Sequence, residues 1–330
     1  MTRRQILRLA LGAGAFASFG QTLASTSALC WQRRELVGFG TTLSLEAGHE
    51  DAATLGDALD DAVATLQRIE QQMSLYRTDS ALSRLNRDGR LDAPPAELRE
   101  LLAIARAIAR RSDGAFDPTV QPLWLAFAGA QAQGRLPTRG EVAAARALVD
   151  WRGLRLPPDG SASLATPGMG LTLNGIAQGY AADRVRAVLQ RHGIRHALVD
   201  AGEYAMTGRN PNGERWTLGI ADPRVDDRLV ARLFADGRCV ATSGDDQTTF
   251  SADHRHHHIV DPRTGWSPPD VAGATVAAPS GALADALTKV FFIAGPARAA
   301  AVARAWGVDA LWIDKSGRWA ATPGLALGHA

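Results

Sequence analysis

The sequence carries only two cysteines in 330 residues, Cys30 and Cys239. Two cysteines make no disulfide framework, although a single bridge between them is open to a chain in an oxidising compartment. There is no basic stripe either. Lys and Arg number 36 against 34 Asp and Glu, a formal net charge of +2, and they are scattered, which argues against nucleic acid as a partner. No internal repeat and no linker rich in Pro, Gly or Ser divides the chain. After the first thirty residues no run is long and apolar enough to cross a membrane. What is present, 46% apolar and 21% charged residues, is the composition of a soluble globular protein with enough length for one large domain or two modest ones.

The first thirty residues differ in kind. Arg3 and Arg4 precede an apolar, small-residue run from Leu9 to Phe19, and small residues from Ala24 to Ala28 offer a cleavage site. These are the three parts of an export signal, and the paired arginines resemble the twin-arginine type, which carries folded proteins. Residues 1–28 are therefore expected to be an export signal and 29–330 the folded domain, placed in the periplasm. A lipid anchor at Cys30 is disfavoured because Leu29, before it, is not a small residue.

The stretch around which the rest is organised is Leu173 to Leu189, in which Asn174 and Gly175 form a small-residue turn feeding a helix pattern that Gly193 ends. A helix N-terminus of this kind offers backbone N–H groups and a positive dipole end to an anion such as a phosphate. Around it, the spacing predicts long amphipathic helices over 51–73 and 97–111, a short helix capped by Asp79 or Ser80, one beginning near Thr138, one beginning near Ser280, and one over 297–306. Strands are expected over 36–45, at 197–200, from Trp216 to Ile220, and over 229–234, 239–242, 271–278, 310–313 and 319–322. Residues 123–137 read as a loop, and 164–173 as a hairpin arm. Helices mixed irregularly with adjacent strands argue for an α+β fold rather than regular βαβ alternation.

Five stretches occur in a telling order: YRTDSALSRLN at 76–86, DGAFDPTV at 113–120, LNGIAQGYAADRV at 173–185, VATSGD with HHIVDPRTG between 240 and 265, and ADAL at 284–287. As an ordered set spanning roughly 36 to 315, they resemble the FAD:protein FMN transferase family, the ApbE-type flavin transferases. The resemblance implies a monomeric, T-fold-like α+β fold of mixed antiparallel sheets with flanking helices and FAD in a cleft between two lobes. It also implies transfer of FMN from FAD to a Thr or Ser hydroxyl of an acceptor flavoprotein in a cell-envelope redox complex, with Mg²⁺ as cofactor and AMP as leaving product.

Carried over position by position, the resemblance places Gly175 (through its carbonyl), Asp285 and Thr288 at the metal. It puts His258 as base or orienting group, and Phe39, Tyr76, Ala115, Phe116, Asp117, Thr172, Gln178 and Ile259 on FAD. Blander readings stand beside these. Asp285 would serve equally to complement a helix dipole, Tyr76, Phe116 and Ile259 to fill core, and His254, His256, His257 and His258 to form a surface metal-binding tract.

Three positions depart from the family pattern: Thr172 where an Asp is usual, Gln178 where a Lys is usual, and Lys289 where the second helix ligand, a Thr, is usual. Phe39 also stands in place of a methionine, and Gly202-Glu203-Tyr204 in place of Gly-Gly-Asp. The loss of positive charge at 178 and its gain at 289 read as linked. An ammonium there would pair with Asp285 and partly replace the metal, with Lys289 taking a catalytic role. Two other functions remain open on the sequence: a non-transferring periplasmic FAD-binding protein, and a metal-dependent FAD pyrophosphatase.

Overall fold

The computed structural model describes residues 29–328; the export-type segment, with its paired arginines and cleavage site, lies outside the described residues. The main sheet has eight strands, all paired antiparallel: β1 (Cys30–Gly38), β2 (Thr41–His49), β6 (His196–Asp200), β7 (Tyr204–Thr207), β10 (Cys239–Gly244), β11 (Val271–Ala278), β12 (Asp309–Asp314) and β13 (Trp319–Ala321), in that spatial order. Two small sheets accompany it. One joins β8 (Thr217–Ala221), β9 (Leu229–Phe234) and β14 (Leu327–Gly328); the other joins β3 (Arg90–Leu91), β4 (Leu154–Arg155) and β5 (Ala162–Leu164). The helices are α1 (Ala52–Met73), α2 (Ala81–Asp88), α3 (Ala96–Arg111), α4 (Gln121–Gln131), α5 (Arg139–Arg146), α6 (Ala177–Arg191), α7 (Gly281–Ala294) and α8 (Pro296–Trp306).

The α+β expectation holds, and the strand alternation explains how the layers stack. Along β10 and β11 every residue is buried, because both faces of the main sheet are covered. Ala241, Ala274 and Val276 face one core with Leu59, Leu66, Val185, Leu287 and Phe291 from α1, α6 and α7. Val240, Ala277 and Leu311 face another, closed by Trp216, Leu218, Ile220 and Leu233 of the β8–β9 sheet. A third apolar cluster, Leu123, Phe127, Val142, Phe250 and Val260, fastens α4 and α5 to the 250–260 loop. Among the described residues no helix is long and apolar enough to cross a membrane.

The predicted helices recur with local causes. Asp51 caps α1 by accepting from the Ala53 and Thr54 N–H groups, Ser80 caps α2, and Thr138 with Glu141 forms a capping box on α5.

Three expectations are corrected. The strand over 36–45 is a hairpin: Phe39 (φ 52°) and Gly40 (φ 75°) form the tight left-handed turn that matches strand twist, so β1 and β2 pair directly and Phe39 sits at the tip. Residues 123–137 are not a loop. α4 runs from Gln121 to Gln131, with Pro122 in its first turn, and has no polar stripe because Leu123 and Phe127 are wholly buried. The supposed hairpin arm 164–173 leaves β5 at Leu164 and crosses as irregular chain, held by a bridge between Val120 and Gly170 and by Asn86, which bonds both the N–H and the C=O of Leu171. Cys30 is exposed and Cys239 buried, and both are free thiols, so the bridge between them does not form.

Candidate functional site

The site is built on a helix crossing. Gly179 on α6 and Gly281 on α7 touch through backbone alone, and a Cβ on either would overlap the other's main chain. Four residues beyond each glycine stands an aspartate that caps the opposite helix. Asp183 of α6 accepts from Ser280 Oγ (2.8 Å), Gly281 N (2.8 Å) and Ala282 N (3.0 Å) at the start of α7. Asp285 of α7 accepts from Gly179 N (3.2 Å) at the start of α6. Each carboxylate thus meets the positive end of its neighbour's dipole.

This pairing changes the expected role of the focal turn. The Ile176 and Ala177 N–H groups already bond to Leu173 O, at 2.9 and 2.8 Å, and Gly179 N–H is taken by Asp285. Those donors are spent within the protein rather than turned to an anion. The charge comes instead from Lys289. Its Nζ lies 2.5 Å from Asp285 Oδ1 and 3.1 Å from Asp285 O, and its stem runs beside the 175 turn, where a Cβ on Gly175 would come within 2.9 Å of Cε.

In front of Lys289 opens a cleft of about 520 Å³. It gathers residues from four of the five stretches singled out in the sequence, with Phe39 at the hairpin tip and Lys289 just past the fifth: Tyr76, Ala115, Phe116, Asp117, Thr172, Gly175, Gln178, His258 and Ile259. Asp285 and Thr288 share a helix face, as the spacing requires, but stand one layer behind the cleft wall, at 1% and 0% exposure. Tyr76 lies on the rim at 77% exposure, free to move against a planar ligand, whereas Phe116 and Ile259 are core residues that present an edge.

Asp117 has its carboxylate committed to the local loop. It accepts from Thr119 N (2.8 Å), Thr119 Oγ1 (2.6 Å) and Trp151 N (3.0 Å), while burial still pushes its pKa up to about 6. Further lining residues, Trp124, Asp200, Tyr204, Thr242 and Ser243, are not expected on FAD from the sequence, although Tyr204 and the VATSGD stretch are noted there. Thr242 and Ser243 reach the cleft near the end of β10, and Trp124 arrives because its stretch is helical. Glu203 is buried, yet also lines the cleft and accepts the Thr242 N–H at 2.9 Å. Burial, and after it the Asp285 charge, raises its carboxyl well above the ordinary range. Among the described residues that line the cleft, Lys289 is the sole Lys or Arg.

The four histidines go separate ways. His254 accepts the Lys315 ammonium on its main-chain oxygen, His256 packs against Phe127 and Trp266, His257 is buried against Phe292, and His258 faces the cleft with its backbone N–H donating to Thr248 O at 3.0 Å. Among the described residues no three His, Cys, Asp or Glu side chains gather as a metal site, so the tract is not a cluster.

The oxygen set expected for Mg²⁺ does not fit a resident ion. One Asp285 oxygen is covered by the Lys289 ammonium and the other accepts Gly179 N–H. The Thr288 hydroxyl donates to Asp285 O (2.7 Å) and lies 2.8 Å from Ser243 Oγ. Mg²⁺ demands near-octahedral oxygens at about 2.0–2.1 Å, and the ammonium holds the place where they would converge.

Comparison with known proteins agrees with this geometry. Residues 39–312 match the model of the ApbE family. The chain is 33% identical over 290 residues to a protein of Vibrio cholerae serotype O1 named FAD:protein FMN transferase, covering 84% of this chain and 85% of that one. It is 32% identical over 319 residues to the protein of that name from Treponema pallidum, covering 89% and 87%. Among solved structures it superposes on the ApbE protein of Thermotoga maritima with a TM-score of 0.80 at 26% identity, covering 89% of this chain and 97% of that chain. With apo flavinyl transferase ApbE of Pseudomonas stutzeri the TM-score is 0.76 at 30% identity, with 91% and 96% covered.

Proposed function

The chain belongs to the ApbE family, and on that premise we propose that it moves FMN from FAD onto a threonine or serine hydroxyl of an acceptor protein, releasing AMP. The observation that carries this reading is the convergence of dispersed stretches on one cleft whose charge is supplied by Lys289. FAD is the substrate, and its isoalloxazine and adenine need flat apolar walls such as Phe39, Tyr76, Phe116 and Ile259 offer. Its two phosphates need a cation, and Lys289 stands beside the Gly175 turn to meet them.

In the reaction the acceptor hydroxyl oxygen bonds to the FMN phosphorus while the bond from that phosphorus to the bridging oxygen breaks. AMP leaves with the electron pair. A hydroxyl is a poor nucleophile until its proton is removed, and we assign that role to His258, which lines the cleft. Negative charge grows on the departing phosphate, and the Lys289 ammonium stabilises it. No step in this reading is routed through a metal ion.

The N-terminal segment supports export by the twin-arginine route and action in the periplasm, on an acceptor flavoprotein of a cell-envelope redox complex. Incubating the purified protein with FAD and a target bearing an acceptor Thr tests the reading. In-gel flavin fluorescence on the target together with AMP supports transfer. AMP with free FMN supports a pyrophosphatase, and bound FAD without AMP supports a flavin carrier; either result overturns the transferase.

A further inference from the structure

The geometry points to Lys289 as the resident cation of the cleft: its ammonium, clamped by the buried Asp285, meets the phosphates of FAD in place of a divalent metal ion, so that the site needs no added metal. This rests on FAD being the ligand of the cleft. An ammonium has three donors. Two are spent on Asp285, on Oδ1 at 2.5 Å and the main-chain O at 3.1 Å, which leaves the third for a ligand on the side where Lys289 lines the cleft.

Each Asp285 oxygen already has a partner, because the second one caps α6 through Gly179 N–H. A metal entering here would have to displace the ammonium, which is tethered on the same helix four residues away, or break the helix cap. Neither displacement gains anything for an anionic ligand that already faces a cation.

Residue choice supports the same assignment. The chain has only two lysines, Lys289 and Lys315, and draws every other side-chain cation of its 36 from arginine. Arginine presents a wide planar fork, whereas lysine presents a compact point charge. Between the Gly175 backbone and Asp285 there is width for the latter, since a single Cβ on Gly175 would already crowd the stem. Buried Glu203 completes the arrangement. Burial and the Asp285 charge raise its carboxyl well above the ordinary range, which disfavours a second negative charge beside the ammonium.

The test uses the full protein and reads binding as well as turnover. FAD affinity, followed by flavin fluorescence, is expected to be the same within about twofold in EDTA and in Mg²⁺. In electron paramagnetic resonance titrations, Mn²⁺ is expected to find no stoichiometric site on the wild-type protein, with or without FAD. Lys289→Met is expected to weaken FAD by about tenfold to a hundredfold in EDTA, the loss of one charged contact. Lys289→Thr, which uncovers Asp285 and puts a hydroxyl one turn from it, is expected to gain a Mn²⁺ site.

Stoichiometric Mn²⁺ binding to the wild type together with FAD affinity that collapses in EDTA would overturn the inference, and needs no variant to fold. FAD binding that is equal in both buffers but followed by no flavin transfer upholds Lys289 as the cation and rejects the transferase reading. Absence of FAD binding in either buffer rejects both.

Discussion

Asp245 and Asp285 are both sealed from water, at 0% and 1% exposure, and each meets one of the chain's two lysines. Asp245, just past the end of β10, accepts two hydrogen bonds from Arg224, at 2.7 and 2.6 Å, and one from Lys315, whose ammonium also donates to His254 O at 2.8 Å. Its carboxylate ties two loops and a turn to the sheet, and the cations around it are consumed by protein acceptors. Asp285 has a single cation and one backbone N–H, and that cation keeps a donor for the cleft. The same pair of residue types is architectural where cations are in excess and chemical where one cation is left partly engaged.

The largest way to break this comparison is Asp245→Ala. It removes the carboxylate that Arg224 and Lys315 share, leaving the less direct charges of Asp246 and Asp222 near Arg224, and the expected loss is about 3–5 kcal/mol in urea unfolding, with FAD affinity of the folded protein unchanged. A loss below about 1 kcal/mol would mean that Asp245 is no anchor.

Next come the lysines themselves. Lys315→Met is expected to cost about 1–3 kcal/mol of stability and nothing in flavin transfer. Lys289→Met is expected to differ in function, with transfer by the folded protein falling by about tenfold to a hundredfold. If both variants lose transfer equally, the distinction between the two sites fails.

The pH dependence sharpens the contrast, because its sign is opposite at the two places. Burial raises the Asp245 pKa, but its bonds from Arg224 and Lys315 outweigh burial and hold it below the ordinary 3.8. Its contribution to stability is therefore present above that value and is lost as the pH falls through the lower folded pKa. Glu203, beside Asp285, is raised above the ordinary 4.5, first by burial and then by that neighbour's charge. The folded state keeps a proton that the unfolded chain has released, so this site's contribution declines as the pH rises from 4.5 through the folded value. Unfolding curves of Glu203→Gln against wild type are expected to diverge in the variant's favour toward alkaline pH, whereas the deficit of Asp245→Ala narrows toward acid.

The smallest effect is expected at an exposed pair. Arg33 and Glu35, 2.8 Å apart with side chains 48% and 59% exposed, should show a coupling of about 0.5 kcal/mol or less in a double-mutant cycle, against which the buried pairs are measured.

Much of this was legible in the sequence where one element carries its own signal. Asp51, Ser80 and the Thr138–Glu141 box announce helix starts, and the apolar spacing of 51–73 fixes the face that α1 buries. The hairpin at Phe39 was read as one strand because a phenylalanine is not the residue expected at positive φ; only Gly40 gave a turn signal. α4 was hidden because its exposed face carries Leu125, Ala128 and Gly129 rather than polar side chains, which leaves no period to read. The structure brings most of the expected FAD residues to one cleft and leaves Asp285 and Thr288 behind its wall, and the sequence cannot show that Asp285 reaches across from another helix to cap Gly179. Reciprocal capping is a tertiary event, and local pattern is silent on it.

The glycine crossing of α6 and α7 has a mechanical consequence. Gly179 and Gly281 meet through main chain, so no rotamer change can alter their spacing, and the Gly175 turn and Lys289 on either side of that contact move as one piece. Admission of a dinucleotide must then come from the opposing wall, formed by the Phe39 tip, Tyr76 and the loop that bears His258. The crevice works as a vice with one fixed jaw, and its width is adjusted only by the other.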